Sequence, residues 1–339
     1  MNPSDITVGV IGYGGAFNMG KQHLELATRA GMRPLAVAEI DPARLAIARH
    51  HFPGIQTYPS VSAMLKKSDV KLVIIITPHN SHAPLALKCL NAGRHVICEK
   101  PLAITTAECD AMIAAAKKHK LLLSTYHNRH WDGCIMEAVR QIKAGVIGDI
   151  VRIDAHMGSY GRPGDWWRSS KKISGGILYD WGVHLLEYSL QLTDAKITEV
   201  TGFATNGVWA PHTPYKNDTN EDEATAIVRF SNGVFLSLRI SQLETNPKPG
   251  MLEITGTSGS YIMDHGWYET IVPKNGTIIR TRGTNPPSDY AQYYHNIADH
   301  LTQGAPLIIT PEWSRRPIHI IDLACQSAKK GTTLKAKYA

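Results

Sequence analysis

The chain is short of several features that would place it outside ordinary globular chemistry. It has no long apolar run: the longest, 72–76 and 121–123, are strand-sized, far below the ~20 residues that cross a bilayer. It has no Cys-x-x-Cys pair. Its five cysteines (Cys89, Cys98, Cys109, Cys134, Cys325) are odd in number and sit mostly in apolar patterns, so reduced thiols in a cytoplasmic protein are expected. No metal-ligand spacing occurs, and the neighbours His50 and His51 suit neither a helical nor a strand chelate, so no metal is expected. Basic residues never run longer than a pair and are not interleaved with aromatics, which argues against a nucleic-acid partner despite a formal charge of +7. A positive balance still suits a solvated surface or attraction of an anionic cofactor. Hydrophobic residues at 43% against 19% charged exclude a disordered chain. An apolar strand pattern begins at Ile6, so no signal peptide is expected.

What is present fills 339 residues, enough for two domains. Residues 1–125 alternate short apolar runs with amphipathic stretches, and Asp41-Pro42 reads as a cap followed by proline at the first helical position. The β-branched run 70–76 is the kind of strand covered on both faces. Repeated βα units predict an α/β, doubly wound parallel sheet. Residues 126–339 change character. Alternating segments at 198–205, 224–230, 234–241, 251–255, 261–264 and 277–281 are separated by short turns such as Ser231-Asn232-Gly233, which predicts an α+β domain with a largely antiparallel open sheet. If its open face is apolar it needs a partner, so a homodimer or homotetramer through that sheet is expected.

The first turn is glycine-rich. Gly12-Tyr13-Gly14-Gly15 follows the first strand and precedes a helix, where glycine lets the backbone approach a pyrophosphate seated on the helix N-terminus. A strict G-x-G-x-x-G would need glycine at Phe17, yet the next glycine is Gly20. Glu39 stands at the end of the second strand, 19 residues after Gly20. A carboxylate there accepts from both adenosine ribose hydroxyls and repels a 2′-phosphate, which favours NAD over NADP.

Two further groups carry chemistry. Glu99-Lys100-Pro101 leaves the strand pattern 94–98, and in an open α/β sheet ligands gather beyond the carboxyl ends of the strands. Asp180 and His184, four residues apart after Gly175-Gly176, share one helix face. Imidazole titrates near neutrality and a carboxylate can hold its tautomer. A lysine can donate to the reacting oxygen, and the set suits alcohol oxidation by hydride transfer.

These residues resemble the Gfo/Idh/MocA oxidoreductases. The segment Thr77-Pro78-His79-Asn80-Ser81-His82 through Glu99-Lys100-Pro101-Leu102-Ala103 is similar to that family's fourth and fifth strand region, and Gly175-Gly176 to His184 resembles its G-G-x-x-x-D-x-G-x-H helix. The resemblance spans nearly the whole chain, departing at the stretched glycine loop and at Ser174. It implies a Rossmann domain over 1–125 and a substrate-binding and oligomerisation domain over 126–339. It also implies NAD(P)-dependent oxidation or reduction of a sugar or polyol. Lys100, Asp180 and His184 become the catalytic candidates, with the direct acid/base left open between Lys100 and His184. Gly12, Gly14, Gly15, Glu39, Thr77, Pro78, Asn80, His82, Glu99 and Lys100 become the cofactor candidates. Tyr126, Asn128, Arg129, Trp167 and Arg168 join Asp180 and His184 as substrate-lining candidates, with Trp166, Tyr160, Arg162 and Tyr293 beside them. Two other readings are an NAD-dependent glycosidase working through transient oxidation and elimination, and a sugar-sensing protein without catalysis.

Overall fold

The computed structural model describes residues 2–15 and 17–338. Its contacts divide the chain into two compact units, one running up to His127 and taking in Tyr290–Arg315, the other Asn128–Asp289 with the chain from Arg316 onward. The expectation that everything beyond 126 forms the second domain is thereby corrected. The segment 290–315 returns to the first unit because buried polar groups there find partners. Tyr293 donates to Ser124 Oγ at 2.9 Å, and Ser124 donates to the Ile309 carbonyl at 2.8 Å.

The first unit is built on six strands: β1 (Thr7–Ile11), β2 (Arg33–Ala38), β3 (Gln56–Tyr58), β4 (Leu72–Ile75), β5 (His95–Cys98) and β6 (Leu123–Thr125), in the order β3-β2-β1-β4-β5-β6. Every pairing is parallel. Leu72, Val73, Ile74 and Ile75 are all fully buried, which explains a strand without alternation: helices cover both faces. Strand order reverses between β1 and β4, and such a switch point is where doubly wound sheets bind ligands. The segments after β1, β4 and β5 leave the same carboxyl edge. Gly12 N–H bonds the Ala38 carbonyl, Ile76 N–H that of Ile11, and Glu99 N–H that of Ile75, at 2.8–2.9 Å. Strand β3 and helix Val61–Lys67 were not legible in the sequence pattern.

In the second unit nine strands form one sheet: β7 (Ile150–Gly158), β8 (Ile197–Thr205), β9 (Glu223–Phe230), β10 (Phe235–Ser241), β11 (Leu252–Gly256), β12 (Ser260–Met263), β13 (Trp267–Lys274), β14 (Thr277–Thr284) and β15 (Leu334–Lys335). The order is β14-β13-β12-β11-β7-β10-β9-β8-β15, antiparallel except for the β7–β10 pair. Strand β13 is an addition to the sequence reading. It pairs with β14 across Asn275-Gly276, both at positive φ (52° and 77°), the left-handed pair that a tight hairpin turn requires. On the inner face Leu236, Leu238 and Val228 are fully buried, and helix Trp181–Leu190 packs there with Gly182 through Leu190 buried. The outer face interleaves exposed Phe203, Ile227 and Phe235 with ion pairs such as Arg229–Glu199 and Arg152–Asp154. Among the described residues no helix is long and apolar enough to cross a membrane.

Candidate active site

The glycine loop of the first unit satisfies the geometric demands of a dinucleotide. Gly12 has φ +92°, and a Cβ there would meet the Ile76 carbonyl oxygen at 2.5 Å. At Gly14 a Cβ would meet nothing within 4 Å, leaving room for a ligand against bare backbone. The third glycine of the expected motif is Gly20, where a Cβ would lie 2.6 Å from the Tyr13 ring. Close packing of loop on helix is the duty of that third glycine, so the loop is longer but keeps all three roles. Helix Met19–Arg29 begins at Asn18 without a side-chain cap. The N-terminus of such a helix suits an anion.

Glu39 borders this loop. Its carboxylate accepts from the main-chain N–H groups of Tyr13 (2.6 Å), Ile40 (2.7 Å) and Asp41 (3.1 Å), so the acid is aimed by the backbone of both segments. Arg44, which the sequence reading did not single out, lies against the same loop, its guanidinium 2.1 Å from where a Gly15 Cβ would be. These residues fit the adenosine end of a nicotinamide dinucleotide.

Beyond β4, Thr77 Oγ1 and Ser81 Oγ are 2.6 Å apart, Pro78 is half-buried and Asn80 is exposed. His82 is fully buried, its ring nitrogens 2.7 Å from the Pro101 carbonyl and 2.8 Å from that of Thr77. Its expected contact with a cofactor is corrected: it ties together the two segments that follow β4 and β5. Burial pushes the imidazole below its ordinary value, outweighing the two carbonyls. Glu99 Oε1 lies 3.0 Å from His23 Nε2, and Oε2 accepts from Lys100 N–H at 2.9 Å. Burial would raise the Glu99 carboxyl, but His23 and Lys100 together hold it below the usual range. Tyr126, expected to line a substrate pocket, is only 1% exposed. It packs edge-on against His23 at 4.3 Å and Tyr293 at 5.1 Å. Tyr293 is likewise buried and spent on Ser124.

In the second unit the glycines before the Asp/His helix have a steric reason. Gly175 and Gly176 adopt φ +94° and +134°, and a Cβ on Gly176 would meet Glu221 Oε2 at 2.7 Å. That oxygen accepts from Ile177 N–H at 3.0 Å, and Lys171 pairs with the same buried carboxylate. Asp180 stands at the N-cap of helix Trp181–Leu190 but does not cap it. Instead its carboxylate faces Arg168, with Nη1 3.3 Å from Oδ1. The Arg168 guanidinium lies 5.0 Å and 5.1 Å from the ring centroids of Trp166 and Trp167. An arginine held between aromatic faces and a carboxylate keeps its fork oriented. His184 is buried, its ring 5.4 Å from Trp181. Arg129 lies over the other side of this arrangement, 4.8 Å from the Trp181 centroid and bonded to Asp132 at 3.0 Å; Asn128 begins the turn that carries it. Tyr160 and Arg162 are drawn elsewhere, to Trp209 and to the His212 carbonyl and Asp165.

Asp132, Cys134 and His265 bring ligand-type atoms within 4.8 Å of one another, a grouping the sequence spacing does not reveal. The Asp132 oxygens are engaged by Arg129, Tyr188 and Ser288. The Arg129 guanidinium supplies Asp132 with a positive partner, and burial pushes the Cys134 thiol up to about 12.

Two family models match the chain: residues 6–127 fit "Oxidoreductase family, NAD-binding Rossmann fold", and residues 135–262 fit "GFO/IDH/MocA C-terminal domain". The chain belongs to the Gfo/Idh/MocA oxidoreductase family. As a member it is an NAD-binding oxidoreductase with a Rossmann first domain. An uncharacterized oxidoreductase of Schizosaccharomyces pombe is 34% identical over 147 residues, 43% of this chain and 40% of that relative. The chain thus spans less than half of that relative's length. The scyllo-inositol 2-dehydrogenase (NADP(+)) IolW of Bacillus subtilis is 24% identical, with 89% of each chain covered. Among solved structures, levoglucosan dehydrogenase in complex with NADH and levoglucosan superposes with a TM-score of 0.83 at 22% identity, covering 98% of this chain and 99% of that one. That likeness shows the family's fold in both units.

Proposed function

We propose that this Gfo/Idh/MocA protein is an NAD-dependent dehydrogenase or reductase acting on a CH–OH group of a sugar or polyol. The observation that carries this reading is the Asp180–Arg168–Trp166–Trp167 arrangement. A carboxylate released from capping and a guanidinium lying against two neighbouring indole rings offer the donors, acceptors and apolar face that a polyhydroxylated ring demands. Support comes from the relatives, named for inositol and levoglucosan, although the first of these is named for NADP(+) and the second is a complex with NADH.

When bound, the nicotinamide supplies the hydride acceptor or donor. The chain's own residues do the rest. Glu39 binds the adenosine ribose, and Gly12, Gly14, Gly15 and the N-terminus of helix Met19–Arg29 receive the pyrophosphate. In alcohol oxidation His184 takes the hydroxyl proton and Asp180 orients its imidazole. Lys100 donates a hydrogen bond to the oxygen that becomes a carbonyl. Arg168 and Trp167 hold the remaining hydroxyls and one ring face.

Lys100→Ala and His184→Ala should each lower kcat by about 10²- to 10⁴-fold, the share that a positioned acid–base group supplies. NAD binding, followed by calorimetry, should persist in both. Near-normal turnover in both variants would remove these residues from the chemistry.

A further inference from the structure

Behind Lys100 runs a buried chain of hydrogen bonds made of groups that the proton-transfer scheme leaves unused. Tyr294 Oη lies 2.5 Å from His23 Nδ1, His23 Nε2 lies 3.0 Å from Glu99 Oε1, and Glu99 Oε2 accepts the Lys100 N–H at 2.9 Å. His23 and Tyr294 are both 0% exposed. They come from helix Met19–Arg29, which starts at the glycine loop, and from helix Ala291–Gln303, so 271 positions separate them in sequence. Tyr126 shields the chain, its ring 4.3 Å from that of His23 and 5.8 Å from that of Tyr294.

Burial pushes the Tyr294 phenol well above its ordinary value, so its O–H is present beside Nδ1. His23 thus bridges the Tyr294 hydroxyl and the Glu99 carboxylate, one ring nitrogen to each. The surrounding titratable groups stay neutral. Burial raises the Cys98 thiol and the Tyr126 and Tyr293 phenols, and lowers the His82 imidazole. The Glu99 carboxylate is therefore the anion beside Lys100.

We propose that His23 and Tyr294 are positioning residues for Lys100. Tyr294 holds the His23 ring, His23 orients the Glu99 carboxylate, and Glu99 fixes the main chain at Lys100. The inference deepens the reading above and rests on Lys100 taking part in proton transfer.

Tyr294→Phe tests it, because the variant keeps the aromatic packing and removes only the hydroxyl beside Nδ1. His23 then loses the partner that holds its ring, and its grip on Glu99, and through Glu99 on the Lys100 main chain, loosens. The readouts are the Lys100 titration, followed by NMR of isotopically methylated lysines and assigned with Lys100→Arg, and the pH profile of kcat. We expect the Lys100 midpoint and the matching limb of the profile to move together. A fall in kcat of about tenfold, a fraction of the whole acid–base contribution, should accompany this with NAD affinity unchanged. His23→Gln, which keeps a donor toward Glu99, should lose less than His23→Ala. The proposal is overturned if Tyr294→Phe and His23→Gln fold and bind NAD while both the Lys100 midpoint and the profile stay where they were. Absence of turnover in the unaltered protein would instead count against the functional reading, and the Lys100 titration would still decide the relay.

Discussion

Glu39 accepts three main-chain N–H groups and still borders the loop where adenosine would sit, while Arg44 lies against Gly15 in the same place. The acid repels a 2′-phosphate and the arginine would receive one, so we propose that the balance between them sets the cofactor. Glu39→Ala should cost about ten- to a hundredfold in kcat/KM with NAD, the worth of hydrogen bonds to a charged group. Activity with NADP should rise in Glu39→Ala but not in Glu39→Ala combined with Arg44→Ala. An unchanged NAD-to-NADP ratio in the single variant would contradict the role given to Glu39. At this scale the sequence was informative wherever position along a βα unit decides a residue's surroundings: Gly12, Glu39 and Lys100 all follow a strand. It was silent on His23, Tyr294 and Arg44, whose partners come from distant segments. It did not show that Tyr126 and His82 are buried, because polar residues near a strand end look alike whether they stay exposed or enter a buried cluster.

Elements divide along the same line. Apolar runs and caps were readable. Asp41 accepts from Ala43 N–H at 2.8 Å as its Asp-Pro signal implies, and Thr105 and Glu108 form a reciprocal capping box that starts the helix just after the Lys100 loop. Strand β13 was not readable, because much of it is polar or half-exposed and its partner is its own hairpin arm. The outer face of the large sheet was expected to be apolar enough to need a partner, and it is a mixture. Phe203, Ile227 and Phe235 are 57%, 39% and 39% exposed among ion-paired arginines. We propose that a second copy of the chain covers this face, since interleaved charges and aromatics suit a self-complementary contact. Light scattering should then give a multiple of 37.3 kDa, and Phe235→Glu should shift it toward the single chain. A mass of one chain at micromolar concentration would refute the assembly.

For the molecule as a whole, the two fold types and the family were legible, because βα repetition and strand alternation are properties of long stretches. The return of 290–315 to the first unit was not, since it depends on pairings such as Ser124 with Tyr293 and Ile309. The chemistry proposed for the whole chain is hydride transfer from a carbohydrate carbinol, and isotope transfer tests it most directly. The protein would be incubated with NAD and a panel of polyols, sugars and anhydrosugars deuterated at each carbinol carbon, and the cofactor analysed by mass spectrometry. The account predicts deuterium at C4 of the reduced nicotinamide from at least one substrate, abolished by Lys100→Ala. Glycoside cleavage without net reduction, or no deuterium in the cofactor from any member of the panel, would contradict it.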